Sequence, residues 1–240
     1  MSPMQAYVDL NADLGEEVTD DAGLLQVVTS ANVACGYHAG SRAIMRAVCA
    51  DAVRHGVTIG AQVSYRDRAN FGRVEHEVNP VVLERQVAEQ VGALAEAARA
   101  EGGFVAYLKP HGALYHRVAS DPVQARAVLA GSGKLPVLGR PGSLLLKLAA
   151  ESGRSVRHEG FPDRAQTSDG HLVPRDQPGA VLQDSAAIAA RALEMAGSLD
   201  SVCVHGDTPD AVAHARAVRT LLEENGWSLR SCWLSTASNP

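Results

Sequence analysis

From Tyr7 to Glu16 the chain reads Tyr-Val-Asp-Leu-Asn-Ala-Asp-Leu-Gly-Glu, alternating polar and aliphatic side chains as far as Leu14. Alternate side chains of an extended strand point to opposite faces, so Asp9, Asn11 and Asp13 share one face while Val8, Leu10 and Ala12 share the other. An open sheet covered by helices on both sides would bury that polar face against hydrocarbon. A closed barrel accommodates it: the aliphatic face packs on helices and the polar face looks inward, where ionisable groups can meet a ligand.

The rest of the chain extends this pattern. Strand-like runs at 7–12, 28–34, 57–61, 105–108, 135–138, 155–158 and 202–204 alternate with helical stretches. Ile44, Ala47, Val48 and Ala52 fall on one helical stripe, as do Val87, Val91, Leu94 and Ala98. Repeated βα units place ligands at the carboxyl ends of the strands, where this chain concentrates its Asp, Glu, His, Lys and Gly. The expected fold is α/β, an irregular seven-stranded (β/α) barrel forming one domain over residues 1–240. Residues 168–179, rich in Asp, Gly and Pro, read as a rim loop.

A net charge of -5 with no basic stripe and interleaved aromatics gives no nucleic-acid surface. The N-terminus lacks a charged and then apolar leader pattern, and no stretch is long and apolar enough to span a bilayer, so a cytoplasmic location is expected. Cys35, Cys49, Cys203 and Cys232 form no Cys-x-x-Cys pair and are expected to be buried thiols. Homo-oligomerisation is left open.

The strand-end clusters are, in order, Asn-Ala-Asp-Leu-Gly-Glu (11–16), Ala-Cys-Gly-Tyr-His-Ala-Gly (34–40), Ser-Tyr-Arg-Asp-Arg-Ala-Asn-Phe-Gly-Arg (64–73), Lys-Pro-His-Gly-Ala-Leu-Tyr (109–115), Phe-Pro-Asp-Arg (161–164), Leu-Val-Pro-Arg (172–175) and Val-His-Gly-Asp (204–207). Their order and wording resemble the LamB/YcsF family over nearly the whole chain. The resemblance implies a barrel of the glycoside hydrolase/deacetylase type and an ATP-dependent 5-oxoprolinase activity, in which the lactam of 5-oxoproline is opened to L-glutamate. It also implies partner chains resembling that enzyme's B and C subunits, with ATP a cofactor of the complex rather than of this chain alone.

Such chemistry needs a base for water, cations for anionic groups and donors for a developing oxyanion. Asp13, ending the polar face of strand 1, is the first choice as general base, with Glu16 nearby to raise its pKa by like charge; helix capping is the bland alternative for Asp13. His38 and His111 are candidates for proton transfer or metal binding, and Lys109 for an anionic oxygen. Asp9, Asn11, Gln62, Tyr65, Arg68, Arg73, Arg164, Arg175, His205 and Asp207 are candidate substrate contacts, the arginines through bidentate contacts to carboxylate or phosphate. Two motifs fail. In Gly131-Ser132-Gly133-Lys134 a phosphate loop would need Ser or Thr where Leu135 stands and Gly where Val128 stands, and no His-x-x-x-His pair of the zinc hydrolase kind occurs.

The third cluster departs from the family. There the pattern runs Gly-Ala-His-Pro-Ser-Tyr-Pro-Asp, and here it is Gly60-Ala61-Gln62-Val63-Ser64-Tyr65-Arg66-Asp67. Gln62 can hydrogen-bond but cannot exchange a proton. Two alternatives therefore stand beside the main reading. One is an amidohydrolase or deacetylase acting alone with a divalent metal held by Asp13, His38, His111 and His205. The other is a binding subunit that has lost turnover.

Overall fold

The computed structural model describes residues 6–18, 20–167, 172–173, 175, 177–208 and 210–233. Seven parallel strands form a closed ring: β1 (Tyr7–Leu14), β2 (Ser30–Ala34), β3 (Thr58–Val63), β4 (Val105–Pro110), β5 (Val137–Gly139), β6 (Val156–Gly160) and β7 (Ser201–Val204), each paired to the next. The ring closes on β1, which pairs with β2 from Asn11↔Ser30 to Leu14↔Val33 and with β7 from Asp9↔Ser201 to Ala12↔Val204. This is the irregular seven-stranded barrel expected from strand 1. An eighth strand absent from the expectation, β8 (Ser228–Leu229), pairs with Tyr7 and Val8 below the ring.

Around the ring lie α1 (Asp21–Leu25), α2 (Arg42–His55), α3 (Pro80–Ala100), α4 (Gly112–Arg117), α5 (Pro122–Gly131), α6 (Leu144–Glu151), α7 (Ser185–Ala196) and α8 (Ala211–Glu224). Local chemistry sets their ends. The Ser41 hydroxyl accepts from the Ile44 N–H to start α2, and left-handed Gly56 (φ 68°) stops it. Asn79 caps α3 with Pro80 at its first position, and Leu83, Val87, Leu94 and Ala98 form its buried stripe. Among the described residues, no helix is long and apolar enough to cross a membrane. Of the expected rim loop, 168–171, 174 and 176 lie outside the described residues.

The floor of the barrel is a closed polar plug. Asp9 accepts from Thr29 (2.6 Å), Ser30 (2.7 Å) and Ser201 (2.5 Å), while Trp233 stacks on the Tyr107 ring at 4.5 Å. Tyr107 reaches across the interior to donate to Asn32 Oδ1 at 2.6 Å. Gly60 makes room for that ring, since a Cβ there would lie 2.2 Å from Tyr107 Cζ. Gly92, by contrast, is exposed within α3 with nothing near its missing Cβ. Gly60→Ala should therefore destabilise the fold by about 1–3 kcal/mol through overpacking, whereas Gly92→Ala should stabilise it by about 0.5–1 kcal/mol through helix propensity. Urea unfolding of the two variants should give midpoints moving in opposite directions.

Candidate active site

At the carboxyl ends of the strands a cavity of about 180 Å³ is lined by Asp13, Glu16, Lys109, His111, His205 and Asp207, with Arg73, Arg164 and Arg175 also on its wall. Its deepest part is organised by Lys109, on β4. The Lys109 ammonium lies 3.2 Å from Asp13 Oδ1, 3.0 Å from Glu159 Oε2, 3.4 Å from Asn11 Oδ1 and 3.1 Å from Cys203 Sγ. Neither Glu159 oxygen receives a well-directed hydrogen bond, so that contact is an ion pair by proximity. Asn32 Nδ2 donates to both Asn11 Oδ1 (2.7 Å) and Asp13 Oδ1 (2.9 Å), and Asn11 Nδ2 donates to Ser201 (2.7 Å).

Burial works against every charge here, and the neighbours decide the outcome. For Lys109, Asp13, Cys203 and Glu159 overcome burial and hold the ammonium well above the ordinary lysine range. For Asp13, burial is likewise overcome, by Lys109 with His205 and His111, and the carboxyl lies below the usual range. For Glu159, burial wins over Lys109 and raises the pKa. The expected rise of the Asp13 pKa is thus corrected: Glu16, not Asp13, is raised, chiefly by burial, because it has no cation of its own comparable to Lys109.

A second cluster lies beside the first. Gln62 Nε2 donates to Glu16 Oε1 and to His111 Nδ1, both at 3.0 Å, and Gln62 Oε1 accepts from His38 Nε2 at 3.1 Å. His111 Nε2 is 3.1 Å from the Phe71 carbonyl, which can only accept, so the proton sits on Nε2 and Nδ1 is a lone pair. Burial and the neighbouring His38 push the His111 pKa well down, in keeping with that neutral ring. The two imidazoles stack at 4.1 Å. Donor atoms of Glu16, His38 and His111 lie within 4.8 Å of one another, a set suited to a divalent ion. Yet the Gln62 amide already bonds all three residues, so the cluster as arranged does not fit an ion. Among the described residues, Asp13 and His205 of the expected metal set fall outside this group.

His205 follows β7. Its Nδ1 lies 2.9 Å from Asp163 Oδ2 and its backbone N–H donates to the same oxygen at 2.9 Å. Burial raises the Asp163 pKa, but His205 outweighs it and the carboxyl stays below the usual range. An ionised Asp163 makes Nδ1 the protonated nitrogen and leaves Nε2 for the cavity. On the rim, Arg73 and Arg175 both reach Asp207 Oδ2 at 2.5 Å. Arg164 is buried and donates to the carbonyls of Ala180 (3.3 Å) and Val173 (2.6 Å); burial and then Arg175 push it down to about 10.

Of the candidate residues, Asp13, Glu16, Lys109, His111, Arg73, Arg164, Arg175, His205 and Asp207 line the cavity, and His38 and Gln62 stand behind His111 and Glu16. Four other candidates lie off the cavity wall. Asp9 belongs to the floor, and Asn11 sits beneath Lys109 as one of its acceptors. Tyr65 turns outward toward Gln124 (3.4 Å), and Arg68 binds Glu17 and the Gly40 carbonyl. Glu159 and Asp163 were missed as site residues. Asp163 was inside a recognised cluster, and the strand parity that Glu159 shares with Arg157 was its only signal.

Lys109→Met should test the central pair. It leaves two buried carboxylates without their cation and should cost about 3–5 kcal/mol at pH 7.5. The native Asp13 has a depressed pKa, so its stabilisation is present above the unfolded carboxylate value of about 3.9 and is lost as pH falls below it. Without Lys109 both carboxylates are raised by burial, and the variant should regain stability as pH falls from 7.5 to 5. Urea unfolding at the two pH values should show the deficit shrinking on acidification.

Residues 8–236 match the LamB/YcsF family. A protein of Streptomyces avermitilis named as the A subunit of 5-oxoprolinase is 52% identical over 242 residues, spanning 91% of this chain and 97% of that protein. The Mycobacterium marinum protein of the same name is 46% identical, spanning 94% of this chain and 98% of its own length. The crystal structure of a lactam utilization protein from Thermus thermophilus superposes with a TM-score of 0.86 at 36% identity, covering 93% of this chain and 99% of that one. A family 4 carbohydrate esterase from Streptomyces lividans shares the barrel alone, at TM-score 0.53 and 13% identity over 93% of this chain and 91% of that one. By its match along nearly its whole length and its close relatives, the chain belongs to the LamB/YcsF family.

Proposed function

We propose that this chain is the lactam-hydrolysing subunit of an ATP-dependent 5-oxoprolinase, working with partner chains that resemble that enzyme's B and C subunits. The observation that carries the reading is one cavity holding an ionised Asp13–Lys109 pair, an Asp163-oriented His205 and a Glu16 carboxyl of raised pKa. The names of the relatives and of the Thermus protein support a lactam as substrate class.

A five-membered lactam is resonance-stabilised, and the amine of opened glutamate can reclose the ring. Coupling to ATP answers both difficulties. A partner chain transfers a phosphoryl group from ATP to the lactam oxygen. Water adds to the activated carbon, the C–N bond breaks and the nitrogen takes a proton, leaving γ-glutamyl phosphate. A second water releases phosphate and gives glutamate. His205 Nε2 removes the proton from water, Asp13 accepts a hydrogen bond from the same water, and Glu16 supplies the proton to the departing nitrogen. Arg73, Arg164 and Arg175 hold the substrate carboxylate and the phosphoryl group. With no phosphate loop in this chain, ATP is assigned to the partners, and a reaction that consumes ATP fits a cytoplasmic location.

The test is glutamate and ADP release from 5-oxoproline and ATP by this chain with its cognate B and C partners. Asp13→Asn, Glu16→Gln and Asp163→Asn should each lower turnover by about 10²–10⁴-fold, with melting temperatures near the native value for Asp163→Asn. Silence from the folded native complex would favour a binding subunit or another substrate.

A further inference from the structure

Gln62 holds a position that a cation could take. Glu16 Oε1 lies 3.6 Å from His38 Nε2 and 3.5 Å from His111 Nδ1. Ligand atoms around a tetrahedral zinc, at bonds of 2.0–2.1 Å, stand about 3.3 Å apart. The imidazole of His111 is already fixed in the manner of a metal ligand, because its far nitrogen donates to the Phe71 carbonyl. What stands among these atoms is the Gln62 side chain, itself fully buried.

The fit of the amide is chemically specific. Its two hydrogens go to a carboxylate oxygen and an imidazole lone pair, and its oxygen takes the hydrogen of the second imidazole. Turning the amide over would set its oxygen against the Glu16 carboxylate and the His111 lone pair. For an ion to enter, all three hydrogen bonds must break and His38 must move its proton to Nδ1, a buried atom with no partner. Breaking them leaves an amide unsatisfied in the interior, which opposes entry of the ion.

We propose that the Gln62 carboxamide stands in for a divalent cation, cross-linking Glu16, His38 and His111 so that the native chain keeps this cluster closed to metal, and that withdrawing the amide opens a transition-metal site. Metal stoichiometry reads this directly, whatever substrate the enzyme proves to take. The native chain, Gln62→Ala, Gln62→Ser and Gln62→Ala/His111→Ala are each freed of metal with chelator and titrated with Co(II), followed by visible absorption, and with Zn(II), followed by calorimetry and thermal melting. The native chain should bind no equivalent at micromolar metal. Gln62→Ala or Gln62→Ser should bind one equivalent of Co(II) with the intense visible bands of a tetrahedral site and melt at higher temperature with Zn(II), and the double variant should lose both effects. One tight equivalent in the native chain, abolished by His111→Ala, would overturn the proposal. So would folded position-62 variants that bind nothing, or variants that stay unfolded with Zn(II) present, since the ion is required to replace the lost cross-link.

Discussion

The interior of this barrel depends on one buried ammonium. Lys109 has a side chain only 4% exposed, set between the carboxylates of Asp13 and Glu159. Removing such ions from water costs several kcal/mol each, recovered only when partners and hydrogen bonds are well placed. The placement is shared by five of the seven ring strands: Asp13 and Asn11 come from β1, Asn32 from β2, Tyr107 from β4, Glu159 from β6 and Ser201 from β7. A one-residue slip of β1 would turn Asp9, Asn11 and Asp13 toward the helices. The charge pair therefore fixes strand register as firmly as the aliphatic core outside does.

The same ammonium divides the roles of two carboxylates that lie three positions apart in the chain. Asp13 has the cation beside it and stays ionised; Glu16 is raised by burial, with Asp13 and Asp207 adding to the rise against the pull of His38. Environments that push neighbouring carboxyls apart separate acceptor from proton donor. His205 receives its direction from a third carboxylate, Asp163, outside that pair.

Strand faces were legible in the sequence, and so were the rim residues Glu16, Arg73, His111, His205 and Asp207 in their strand-end clusters; depth along a strand and contacts between distant segments were not. Alternation placed Asp9, Asn11 and Asp13 inside the ring, and all seven ring strands were found with ends displaced by at most a few residues. Depth along the strand was not legible, because a period of two separates faces but does not tell floor from mouth, so Asp9 was assigned to substrate. Tyr65 and Arg68 follow the end of β3, where that period no longer applies. Glu159 is the penultimate residue of β6, in a run whose Arg157 and His158 look like surface residues. Asp163 acquires its role only from His205, 42 positions later. β8 is two residues long and has no periodicity to read.

The turn after β3 joins the two halves of the site. Phe71 is held in the left-handed region at φ 56°, a strain of about 1–2 kcal/mol for a residue with a Cβ. Its carbonyl accepts the His111 Nε2–H, and its ring packs edge-on against His38 at 5.8 Å and His111 at 5.6 Å. Gly72 follows at φ 69°, where a Cβ would lie 2.3 Å from Ser64 Oγ, and its carbonyl accepts from Ala113 N–H at 2.8 Å. The next residue is Arg73, which reaches Asp207 on the far side of the cavity. Three consecutive residues thus supply a carbonyl to the His111 imidazole and a guanidinium to Asp207.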